Sequence, residues 1–154
     1  MRIKGLTDED FVNYKLPSMF ISTCFCSFKC GEDCCQNSSL AKEKPKFIDD
    51  DELIQRYLGN PITKAIVFGG LEPFDQYREL FNFISILRLE YGCGDPVVIY
   101  TGYNKDEIDG EIRMLSQFEN VIVKYGRYIP YSESVFDDVL GVRLASNNQY
   151  AEVL

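Results

Sequence analysis

The chain has 154 residues, and its 45% hydrophobic and 26% charged content is enough to build a folded core and argues against disorder over most of its length. A net charge of −8 with no basic cluster argues against a direct phosphate-backbone partner. The absence of any histidine excludes Ser/His/Asp and Cys/His mechanisms, His-ligated zinc and imidazole general-base catalysis. Apolar runs such as "AIVF" and "VVIY" are far too short to span a bilayer. The N-terminal "MRIKGLTDED" is acidic and carries no apolar signal core. The expectation is one domain over 1–154, cytoplasmic, with no membrane and no direct nucleic-acid partner.

In chain order, "SMFIST" predicts a short buried strand over 18–23 that runs straight into a cysteine-rich segment. A helix is predicted over 49–58, with Asp49–Asp51 supplying its N-cap and first-turn negative charge and Gly59 its stop. "TKAIVFGG" predicts a buried strand over 63–70 that opens into a glycine loop. Leu80, Phe83, Ile84 and Leu87 share one helical face in a helix predicted over 75–92. "PVVIYTGY" (96–103) repeats the strand-then-glycine pattern, and 105–118 is again helical, with Ile108, Ile112 and Leu115 on one side. A strand over 120–126 comes next, then a terminal strand or turn over 137–146. Short, wholly apolar strands alternating with helices predict an α/β fold with a mostly parallel sheet, in which ligands sit at the carboxyl ends of the strands.

Five of the six cysteines fall within "CFCSFKCGEDCCQN", residues 24–37. A disulfide framework suits small secreted domains without a core. A structural zinc site normally pairs two separated C-x2-C arms, whereas the remaining cysteine here, Cys93, is isolated. Packing five thiols as small hydrophobes does not suit a loop that also carries Lys29, Glu32 and Asp33. Iron–sulfur ligation needs thiolates brought together by a short flexible loop, which this segment supplies. Three thiolates on a four-iron cluster leave one iron open to a ligand.

Together with three motifs downstream of it, the cysteine segment is similar to a family pattern. Cys26 and Cys30 come from "CSFKC", and Cys35 and Asn37 from "CQN". Then come "FGGLEPF", "YTGY" and "ASNNQ", in family order and spacing across essentially the whole chain. The chain resembles the radical S-adenosylmethionine (SAM) activases and, within them, the activating proteins of anaerobic ribonucleoside-triphosphate reductases. It departs from them in three places. Four residues separate Cys30 from Cys35 where the family has two, Leu71 replaces a glycine of the G-G-E-P loop, and Tyr150 stands where an arginine is usual. These changes leave the substrate more open than the cofactor.

The resemblance implies a partial, open β/α barrel of radical SAM type, a 4Fe–4S cluster and SAM. It implies that Cys26, Cys30 and Cys35 each ligate one iron, with Cys34 the competing third position and Cys24 a further one. Cys34, if not a ligand, takes the place that leans on the adenine, and Gln36 and Gly69 join the cofactor-binding positions. The carbonyls of Gly70 and Leu71 and the carboxylate of Glu72 are expected to accept hydrogen bonds from the SAM ammonium, and Pro73 to stiffen the loop. Leucine at 71 is tolerable provided its φ stays negative. Thr101 is a candidate for the ribose or the SAM carboxylate, and Ser146 and Asn148 are candidates to close the pocket. The implied activity is reductive cleavage of SAM to a 5′-deoxyadenosyl radical that makes a glycyl radical on the reductase, with flavodoxin or ferredoxin as electron donor. A radical SAM enzyme with another peptide or small-molecule substrate, and a non-catalytic iron–sulfur or zinc module, are the alternative readings.

Overall fold

Period-two alternation in the apolar strands decides how this chain is layered. The computed structural model describes residues 1–31 and 35–154. Its elements are β1 (Arg2–Ile3), β2 (Gly5–Asp10), β3 (Ser18–Ser22), α1 (Ser38–Lys42), β4 (Lys46–Phe47), α2 (Asp50–Leu58), β5 (Ala65–Gly69), α3 (Tyr77–Leu89), β6 (Val97–Tyr100), α4 (Asp109–Leu115), β7 (Val121–Tyr125), β8 (Val135–Asp137), β9 (Val142–Leu144) and β10 (Tyr150–Val153). The main sheet has the linear order β10-β7-β6-β5-β3-β2. Its four inner strands are parallel, and β2 and β10 flank them antiparallel. The fold is therefore mixed α/β around a mostly parallel sheet.

Inner strands laid side by side in sequence order, each joined to the next through a helix, place those helices on one face. Ile66 and Phe68, Val97 and Ile99, and Val121 and Val123 all point to that face. There they meet Leu53, Ile54 and Tyr57 of α2, Leu80, Phe83, Ile84 and Leu87 of α3, and Ile112 and Leu115 of α4. Phe83 packs edge-on against Phe68, with ring centroids 5.2 Å apart. The alternate residues Ala65, Val67, Val98 and Ile122 face the other way, onto Tyr14, Leu140 and Leu144. That second face carries the β8–β9 hairpin instead of helices, and at the carboxyl ends of the strands it opens into a cleft.

The helix caps follow from local sequence. Asp49 accepts from the Asp51 amide at 3.1 Å, and Asp50, Asp51 and Glu52 fill the first turn of α2, where the helix dipole favours anions. Gly59 ends α2 with φ −75, so the stop does not use the left-handed region. The segment predicted helical from 75 begins instead as a 3-10 turn, Pro73–Gln76, because Glu72 caps that turn and Pro73 starts it. The segment predicted over 105–118 divides in the same way. A 3-10 turn, Lys105–Glu107, is closed by a capping box between Asn104 and Glu107, and α4 comes after it. No helix among the described residues is long and apolar enough to cross a membrane.

Candidate functional site

The cleft has a volume of about 530 Å³ and lies where β3, β5, β6 and β7 end. Each of those strands contributes through the loop beyond it. Cys26, Cys30, Cys35 and Gln36 come from the loop after β3, and Gly69–Glu72 from the end of β5 and its loop. Thr101 and Gly102 follow β6, and Lys124 and Arg127 come from the end of β7.

The cysteine loop is stitched to the loop after β5. The Thr23 amide and hydroxyl both donate to the Gly69 carbonyl, at 2.9 and 3.1 Å. The Glu72 amide donates to the Phe25 carbonyl at 2.8 Å, the Ser27 amide to Asp75 Oδ2 at 2.5 Å, and Asn37 Nδ2 to the Gly70 carbonyl at 2.6 Å. Between Cys26 and Cys30 the chain turns tightly, with Phe28 at φ 52 and the Gly31 amide donating back to the Phe28 carbonyl at 2.8 Å. The Phe28 amide also donates to Cys26 Sγ at 3.3 Å, the kind of contact that stabilises a ligating sulfur. Burial pushes the Cys26 thiol up to about 11, with that amide opposing, so metal ligation there must release a proton. Cys26, Cys30 and Cys35 all face the one cleft, although among the described residues no three Cys, Asp or Glu side chains gather as a ready metal site. Cys34 lies outside the described residues. Cys24 is only 6% exposed and its amide is held by Gln76 at 2.6 Å. Cys93 precedes β6 and so lies at the amino end of the sheet, away from the cleft.

Gly70 is the position of the Gly-Gly-Leu-Glu-Pro loop where both backbone conformation and space demand glycine. Its φ is +80, and a Cβ there would sit 2.8 Å from Leu40 Cδ2 and 3.0 Å from Ser22 Cβ. Leu71 keeps a φ outside the left-handed region and buries its side chain, so the loop accommodates a leucine there. Glu72, 7% exposed, is the junction of the site. Its Oε1 accepts from Thr101 Oγ1 at 2.7 Å and from the Phe74 amide at 3.1 Å, and its Oε2 accepts from the Gly102 amide at 2.9 Å. Sequence reasoning treats Glu72 and Thr101 as separate ligand contacts, whereas here they bind each other. Burial raises the Glu72 pKa, and these three hydrogen bonds oppose the rise. A carboxylate has about four lone-pair directions, so one remains for a ligand. Tyr103 adds a second link, donating to Asp75 Oδ1 at 2.7 Å.

Ser146 and Asn148 are placed differently from the rest. Ser146 is fully buried, and its hydroxyl accepts from the Ile129 amide at 2.8 Å, while Asn148 Nδ2 donates to the Arg127 carbonyl at 3.0 Å. Both brace the 126–129 loop, and from their segment it is Ala145 and Gln149 that line the cleft. Lys124 is not among the residues that sequence reasoning singles out. The available signal is a cation interrupting the apolar run "VIVKYG" at a strand's carboxyl end.

A family model described as a 4Fe-4S single cluster domain matches residues 17–151, from just before β3 into β10. No curated protein and no solved structure matches the chain.

Proposed function

The chain belongs to the 4Fe-4S single cluster domain family, and from that premise we propose that it is a radical SAM activase. One observation carries the reading: Cys26, Cys30 and Cys35 face the same cleft as Gly70, Glu72 and Thr101, so a cluster on these thiols and a ligand on these polar groups share one cavity. Its volume, about 530 Å³, is in the range of small-molecule sites. The donor set fits the group, because three thiols from one short loop suit a four-iron cluster with one iron left open. When bound, the cluster supplies the electron that breaks the sulfonium C–S bond of SAM, giving methionine and a 5′-deoxyadenosyl radical.

The protein's own part is to bind and orient. Cys26, Cys30 and Cys35 hold the iron, with Cys34 the competing third ligand. The last lone pair of Glu72 and the carbonyls of Gly70 and Leu71 accept from the ligand's ammonium. Thr101, fixed by Glu72, presents the turn after β6 to the ribose. Asn37 and Thr23 keep the cysteine loop and the β5 loop in register. We read the linear sheet as the wall of a partial barrel, open on one side, through which a glycine-bearing segment of an anaerobic ribonucleoside-triphosphate reductase reaches the cleft. The cytoplasm, with flavodoxin or ferredoxin as reductant, completes the reading.

The test is product analysis. Anaerobically reconstituted, dithionite-reduced protein given SAM is expected to release 5′-deoxyadenosine and methionine in equal amounts, seen by chromatography. A fully loaded cluster that leaves SAM intact in the presence of the reductase would overturn the proposal.

A further inference from the structure

On the helical side of the sheet, behind the cysteine loop, the chain exposes aromatic rings among cations. The β1–β4 ribbon packs there. Ile3 points into the core beneath α2 and α3, so alternation turns its neighbour Arg2 outward. Phe47 is the register partner of Arg2, which puts both side chains on one face of the ribbon, and it is 74% exposed. The Arg2 guanidinium carbon in turn lies 4.7 Å from the centroid of the Phe25 ring, itself exposed. Lys42, Lys44 and Lys46 lead into the ribbon, all exposed, and Lys4 ties that segment to β1 by donating to the Ala41 carbonyl. In a chain of net charge −8, residues 38–47 hold three lysines and one acid, Glu43. Glu79, which borders the patch, is taken up by the Arg2 amide and guanidinium.

This patch adjoins the metal loop without entering the cleft. Phe25 is the residue before Cys26, and its carbonyl accepts from the Glu72 amide at 2.8 Å. Gln76 joins the two regions from beneath, accepting from the Cys24 amide at 2.6 Å and donating to the Arg2 carbonyl at 3.0 Å. Cys26 lines the cleft, whereas Arg2, Phe25, Phe47 and the three lysines do not. Exposed rings supply contact area and cations steer an oppositely charged partner, so the surface suits an acidic protein. We propose that this face docks an acidic protein carrying a one-electron cofactor, so that the electron enters behind the cysteine loop while the cleft holds its ligands. With a flavin donor, the anionic hydroquinone becomes the neutral semiquinone and the cluster takes up that one electron, with no proton passing between them. The inference rests on the proposed reading for a cluster on Cys26, Cys30 and Cys35, and not for SAM.

The probe is flavodoxin hydroquinone, an acidic flavoprotein, mixed anaerobically with cluster-loaded protein in a stopped-flow spectrophotometer without SAM. The wild-type second-order rate constant is expected to fall steeply as salt rises. Lys42→Glu, Lys44→Glu and Lys46→Glu combined are expected to lower it at least about tenfold at low salt and to flatten its salt dependence. Iron content, circular dichroism and the rate of reduction by dithionite should stay as in wild type. Phe47→Ala, which removes a mostly exposed ring, is expected to slow transfer at every salt concentration. Lys64→Glu, at an exposed lysine before the amino end of β5, is the control expected to match wild type. A wild-type rate indifferent to salt, or a triple variant reduced as fast as wild type, overturns the proposal. If the triple variant instead loses affinity for the reductase, or loses self-association, with flavodoxin transfer intact, the face belongs to the substrate protein or to a second copy and the proposal fails. Protein that is reduced normally but leaves SAM intact sinks the activase reading alone.

Discussion

Cys26→Ser, reconstituted anaerobically as the full chain, is expected to retain about a tenth or less of the wild-type iron and sulfide and to lose the cluster's visible absorbance. A serine oxygen is a harder and more basic donor than a thiolate, and Cys26 is the cysteine whose sulfur already accepts a backbone amide, at 3.3 Å from Phe28. Cys30→Ser and Cys35→Ser are expected to behave alike, because all three thiols open onto the cleft. Two controls separate ligation from folding. Cys93→Ser lies at the amino end of the sheet and is expected to load normally. Cys24→Ser, at a side chain 6% exposed, is expected to lower stability and still to load. The pair Cys34→Ser and Cys35→Ser then assigns the third ligand: retention in the first and loss in the second supports Cys35, and the reverse transfers the role to Cys34. Iron content by colorimetric assay is the readout.

Glu72→Ala is expected to cost about 2–4 kcal/mol of folding free energy in urea unfolding of the metal-free protein, since it orphans three donors at once. Thr101 Oγ1, the Gly102 amide and the Phe74 amide all point at a carboxylate that is 7% exposed, and water does not replace it readily. The same change unties the loop after β5 from the turn after β6, so SAM binding should fall further than stability does. Glu72→Gln tests the charge. Burial raises the Glu72 pKa, so above the ordinary carboxylate range the native state holds more of this proton than the unfolded chain does. Stability therefore declines as pH rises through the window between the unfolded and folded values. Glu72→Gln should remove that part of the slope, while still losing the acceptor for the Gly102 amide. A variant as stable as wild type, with unchanged ligand affinity, would contradict the role given to Glu72.

The inner strands are legible because each is a short, wholly apolar run, and burial on both faces leaves no other pattern for a parallel strand. The edges are not. β2 is "GLTDED", acid-rich and alternately exposed, and β10 is "YAEV"; a flanking antiparallel strand needs only one good neighbour and can be polar on its free side. α1 has five residues, none of them buried, and is too short for helical periodicity to register. The cysteines, the Gly70 turn and Glu72 are legible because thiols, a glycine and a buried acid carry their chemistry in the residue type. Lys124 is not, because reading "VIVKYG" as an apolar run absorbs the lysine into the strand. Only the register that turns it away from Val123 and Tyr125 shows that it faces the cleft. Ser146 and Asn148 show where residue type alone leaves a role open. Polar residues near a pocket read as its wall, and their hydrogen bonds run to the 126–129 backbone instead.

The central claim is that the cluster leaves one iron for SAM, and electron paramagnetic resonance of the dithionite-reduced, reconstituted protein with and without SAM tests it most directly. A four-iron signal that changes shape when SAM is added, and disappears in Cys26→Ser, is the predicted result. A four-iron signal indifferent to saturating SAM would contradict it and leave an electron-transfer cluster in the same cleft.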